Sequence, residues 1–65
     1  MGNRLRMIRK TKGLTQKWLS EVSSVPRVCI ARYESGKYNI GVKNAVKLAS
    51  ALGVTVDELI GKEAG

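Results

Sequence analysis

Apolar residues recur along the chain three and four positions apart, and the runs they form are cut by Gly13, by Ser23 to Pro26, by Gly36 to Gly41, by Gly53 and by Gly61. No stretch sustains strict alternation, so the pattern predicts short helices and no strands. Leu5 and Ile8 put one apolar stripe on a first helix over about Asn3 to Lys12, and Gly13 stands where a left-handed terminal residue is wanted. Thr15 precedes the next run and its hydroxyl suits the cap of a second helix, whose apolar residues are Leu19 and Val22 and which Ser23 and Ser24 close. Pro26 has a ring-fixed φ and no N–H to lose, which predicts it as the first residue of a third helix reaching about Glu34. Within that helix Ile30 and Tyr33 point one way, and Arg27, Val28 and Arg32 another. Val42, Ala45, Val46, Ala49 and Leu52 keep the spacing of an amphipathic fourth helix, closed by Gly53. Thr55-Val56-Asp57-Glu58 then reads as a capping box that opens a last helix carrying Val56, Leu59 and Ile60.

The chain has 65 residues, which predicts one domain over 1–65 and leaves little room for a pocket. So short a chain has a thin core that a dimer interface would supplement. It carries 12 Lys and Arg against 5 Asp and Glu, a net charge of +7, with no His and a single Cys. Neither an internal disulfide nor a Cys/His zinc site is possible with that count, so no metal and no cofactor are expected. No apolar run approaches a membrane span, and Met1 to Lys12 is too charged for a signal peptide. The expectation is therefore a soluble cytoplasmic protein with no membrane partner.

The charge is unevenly placed. All the cations but Lys62 lie in residues 1–47 beside only Glu21 and Glu34, whereas Asp57, Glu58 and Glu63 make the remainder mildly acidic. Such a polycationic end favours nucleic acid, because neutralised phosphates release counterions and the field steers encounter. Missing His, a glycine-rich phosphate loop and any carboxylate pair arranged as a site argue against an enzyme. Two short helices joined by a tight turn, the second with outward basic residues, point to a helix-turn-helix at about 15–35.

The run Leu14-Thr15-Gln16 through Arg32-Tyr33-Glu34-Ser35-Gly36-Lys37, followed by Leu48-Ala49-Ser50-Ala51-Leu52-Gly53-Val54 and Asp57-Glu58-Leu59, resembles the phage repressor and Cro-like regulators of the Xre family. The likeness covers nearly the whole chain. It implies an all-α, five-helix lambda-repressor-like DNA-binding domain, whose third helix, about 26–34, enters the major groove of double-stranded DNA on the nucleoid. The resemblance assigns base reading to Arg27, Val28 and Arg32. Arg suits guanine O6 and N7 through its planar fork, and Val28 suits only a thymine methyl. A plain phosphate contact is the alternative for either arginine. Gln16 is implied to touch a phosphate and brace the recognition helix, and Arg9 to pair with Glu34. Lys17, Lys37, Tyr38, Asn39 and Lys43 have the composition of phosphate contacts, an ordinary exposed turn being the alternative for the loop.

Some positions depart from the family pattern. Ser24 stands where the family favours Gly, Ser20 where Ala is common, and Ile40-Gly41 where Pro-Ser is frequent, leaving the fourth helix without a side-chain cap. Trp18 replaces a usual Glu or Lys, and packing on the first helix, contact with the sugar-phosphate backbone and a partner surface all remain open for it. Cys29 reads as a small filler, with a redox switch as the sharper alternative. Val54, Val56, Leu59 and Ile60 are expected to form the interface of a symmetric homodimer on a palindromic operator. The function expected is transcriptional regulation, as a repressor. A small antitoxin or protein-interaction module with secondary DNA binding is the competing class.

Overall fold

The computed structural model describes residues 4–61 and builds them from five helices: α1 (Leu5–Thr11), α2 (Gln16–Ser23), α3 (Arg27–Glu34), α4 (Val42–Leu52) and α5 (Val56–Ile60). The expected start of the first helix at Asn3 lies outside the described residues. Each boundary has a local cause. Thr15 Oγ accepts from the Trp18 amide at 3.0 Å to open α2. The capping box of α5 is complete, with Thr55 Oγ1 accepting from Glu58 N at 3.0 Å and Glu58 Oε1 accepting from Thr55 N at 2.8 Å. The Thr55 backbone amide, with the Thr55 side chain beside it, holds the Glu58 carboxyl below its ordinary range.

Leu5, Leu19, Val25, Ile30, Leu48 and Leu59 are fully buried at the centre, with Ala45, Ala49 and Leu52 filling the α4 side. Here α2 lies on α3 and α4, α5 closes on α4, and α1 bridges α3 and α5. The Arg4 amide donates to the Leu59 carbonyl at 2.9 Å, tying the start of α1 to α5.

Three readings of the apolar pattern need correction. Leu59, assigned above to a dimer interface, is 0% exposed and belongs to this chain's own core. The short α5 has one inward position per turn, and Leu59 fills it, leaving the half-buried Val54, Val56 and Ile60 at the surface. Val22 is 53% exposed, and Val42 and Val46 are 81% and 52% exposed. The inward arc of α4 is Ala45, Leu48, Ala49 and Leu52, and the two valines fall on its flank. Finally, Pro26 is the residue before α3 and not its first: with ψ at 140° it is still extended, and its carbonyl accepts from the Cys29 and Ile30 amides.

The turn between α2 and α3 fixes the angle at which α3 is presented. Ser24 takes the left-handed conformation (φ 65°, ψ 19°) that a glycine would occupy more easily. Three serines hold the turn. Ser24 N donates to Ser20 O at 2.9 Å, Ser20 Oγ donates to Val25 O at 2.8 Å, and Ser23 Oγ accepts from Val25 N at 3.2 Å. Val25, 1% exposed, is thereby plugged into the core directly before α3.

Candidate nucleic-acid interface

At 100° per residue, Ile30 on α3 looks into the core, and the exposed arc that runs from beside it round to the far side carries Arg27, Ala31, Val28 and Arg32 in that angular order. The two arginines flank the smaller Val28 and Ala31. Among the described residues no carboxylate pairs with Arg27 or Arg32. An α-helix with its side chains is about 10 to 12 Å across, which fits the roughly 12 Å width of the major groove.

The inner flank of α3 is organised differently. Glu34 accepts from Arg9 Nε at 2.6 Å and Arg9 Nη2 at 2.9 Å, a two-pronged ion pair, and from Gln16 Nε2 at 3.1 Å. Arg9 Nη1 donates to the Leu14 carbonyl at 2.7 Å. The Arg9 and Glu34 side chains are 11% and 5% exposed. Burial works to raise the Glu34 carboxyl, but its hydrogen bonds from Arg9 and Gln16 outweigh burial and hold it below its ordinary value. The bond to Glu34 raises the Arg9 guanidinium. One cluster thus locks α1, the first turn of α2 and the end of α3 together. Gln16 is the brace between α2 and α3. Beside it runs an open cleft into which Arg6 and Lys10 of α1 and Ser35 also face.

Beyond α3 the chain turns back. Ser35 Oγ donates to Arg32 O at 2.6 Å and accepts from Lys37 N at 3.3 Å, and Gly36 takes φ 79°. The loop that follows exposes Lys37, Tyr38 and Asn39. Tyr38 is 52% exposed, and its ring centroid lies 5.5 Å from Arg32 Cζ. On α4, Lys43 is exposed near an N-terminus that Gly41 leaves without a side-chain cap. Lys17 is exposed on the first turn of α2. Asn44 Nδ2 donates to the Tyr33 hydroxyl at 2.8 Å and pins α4 to α3. Trp18 is 37% exposed and Cys29 half-buried.

Sequence reasoning passed over Ala31, the Ser20 and Ser23 bonds in the turn, the Asn44 link and the approach of Tyr38 to Arg32. Helical arithmetic alone would have placed Ala31 between the arginines. The others depend on backbone conformations that composition does not encode.

Residues 5–59 match the family model described as Helix-turn-helix. The chain belongs to this family, in its Xre type. Within the helix-turn-helix family it is 35% identical over 63 residues to the immunity repressor protein of Bacillus phage phi105, a match covering 97% of this chain and 44% of the repressor. The chain therefore spans less than half the length of that relative. It is 34% identical over 59 residues to the control protein C.MunI of Mycoplasma sp, covering 89% of this chain and 80% of that protein. The crystal structure of the restriction-modification controller protein C.AhdI from Aeromonas hydrophila superposes with a TM-score of 0.79 at 38% identity, over 85% of this chain and 83% of that one. These relatives carry the names of regulators and not of enzymes. Among the described residues no helix is long and apolar enough to cross a membrane, and no three His, Cys, Asp or Glu side chains group to hold a metal.

Proposed function

We propose that this helix-turn-helix domain binds double-stranded DNA sequence-specifically and regulates transcription, acting as a repressor from a palindromic operator. The observation that carries the reading is the exposed arc of α3, where Arg27 and Arg32 flank Val28 and, among the described residues, no carboxylate neutralises them. In a major groove Arg27 and Arg32 donate to guanine edges and Val28 meets a thymine methyl. Gln16, Lys17, Lys37, Asn39 and Lys43 serve the phosphates, which set register without carrying sequence. The names of the relatives, an immunity repressor and two controllers, support regulation as the outcome.

Two copies of the domain join through Val54, Val56 and Ile60 at the surface around α5, remote in sequence from the basic arc. The pair presents its α3 helices to half-sites one helical turn apart, about 34 Å. Selection of binding sites from random duplex DNA tests the whole reading. It should return a motif of two inverted half-sites, each with G·C pairs and a T, and Arg27→Ala or Arg32→Ala should each relax one position per half-site. Selection that enriches nothing above the starting pool overturns sequence-specific binding. An enriched site without inverted symmetry, together with a monomer by gel filtration on DNA, overturns the dimer.

A further inference from the structure

The two arginines on the outer arc differ in one respect: Arg32 has an aromatic ring beside it and Arg27 does not. The Tyr38 centroid is 5.5 Å from Arg32 Cζ, within the roughly 6 Å over which a ring attracts a guanidinium. The ring arrives there by a built turn. Ser35 Oγ donates to the Arg32 carbonyl at 2.6 Å and receives the Lys37 amide at 3.3 Å, while Gly36 at φ 79° reverses the chain. The backbone of Arg32 thus anchors the loop whose ring then lies over the Arg32 guanidinium.

From this geometry, and resting on the DNA-reading role just proposed, we infer that Tyr38 is a specificity-positioning residue, holding the Arg32 guanidinium in the orientation in which it reads a base. A cation over a ring gives up none of its N–H donors, so the Arg32 fork remains available for guanine O6 and N7. An arginine with no such support samples many rotamers and meets neighbouring phosphates as readily as a base edge. Tyr38 therefore sharpens the choice of base through its ring, whereas a phosphate contact would act through its hydroxyl. Both side chains are exposed, which leaves them open to a groove.

Tyr38→Phe and Tyr38→Ala separate these roles, since one keeps the ring and the other removes it. In the free protein, the Arg32 side-chain protons should be shifted upfield by the ring in wild type and in Tyr38→Phe, and return to random-coil positions in Tyr38→Ala. In binding-site selection, Tyr38→Phe should keep the wild-type preference. Tyr38→Ala should lose about tenfold in discrimination at the one position that Arg32→Ala relaxes, with the slope of log K against log salt unchanged. If both variants keep the preference, or if both weaken all sequences alike, the positioning role is overturned. A wild type with no base preference overturns the DNA-reading proposal as well, whereas a preference that survives in Tyr38→Ala overturns this inference alone.

Discussion

On the inner flank of α3, Glu34 takes hydrogen bonds from Arg9 and Gln16 at 2.6 to 3.1 Å and its side chain is 5% exposed. On the exposed arc of the same helix, Arg27 and Arg32 stand in solvent, and among the described residues no carboxylate pairs with them. One helix therefore spends charge in two ways. Inside, desolvation is offset only because both partners are satisfied, so the pair serves to orient helices. Outside, the cations are left unsatisfied and remain available to an anionic partner. Arg9 contributes to the net charge of +7 without being free to bind anything.

Breaking the inner flank should produce the largest effect. Arg9→Met leaves Glu34 buried with Gln16 alone and orphans the Leu14 carbonyl, so urea unfolding should show a loss of about 3 to 5 kcal/mol. A stability unchanged from wild type would show that the two flanks do not differ as described. The same cluster sets the response to acid. Because Glu34 titrates below its ordinary 4.5 in the folded state, its contribution is fully present above that pH and is lost as pH falls through the lower folded value. With no His in the chain, the thermal midpoint should be flat from about pH 5 to 8 and fall below about pH 4.5.

Arg27→Ala and Arg32→Ala ask the opposite question of the outer arc. Each should leave stability within about 0.5 kcal/mol of wild type and cost about 1 to 3 kcal/mol of discrimination at one base pair. A marked loss of stability would mean that the arc supports the fold after all. The turn that aims α3 should respond by about 1 kcal/mol in the other direction. Ser24→Gly relieves a left-handed serine at φ 65° and should raise the unfolding free energy by that amount. The smallest effect is expected at the loop. Lys37→Ala should flatten the salt dependence of binding by about one unit of slope while leaving base preference intact.

The inner and outer flanks were not equally legible in the sequence. Periodicity and breakers locate all five helices to within a few residues, and the capping box at Thr55 to Glu58 is written out in the chain. The left-handed strain at Ser24 follows from a serine standing at a glycine position. Periodicity errs where an apolar residue sits at the edge of an inward arc, as Val22, Val42 and Val46 do, because spacing gives a direction to within one residue and not a depth. Leu59 errs the other way: in a short terminal helix an apolar residue reads equally well as core or as interface until its neighbours are placed. The Arg9 and Glu34 pair, 25 residues apart, was accessible only through the family resemblance. No spacing rule encodes a contact that depends on how α1 packs against α3. The approach of Tyr38 to Arg32 had no signal at all, since it depends on the Ser35 hydroxyl bonds and the conformation of Gly36.

The central claim is that one face of α3 reads DNA while the other holds the fold, and titration of the labelled protein with duplex DNA, followed by NMR, tests it most directly. The account predicts that the largest shifts fall at the Arg27 and Arg32 side chains and at the amides of Val28, Ala31 and Lys37. The Arg9 Nε–H signal should stay in place and remain protected from exchange. Shifts centred on α5, or an Arg9 signal that moves and loses protection as DNA is added, would contradict it.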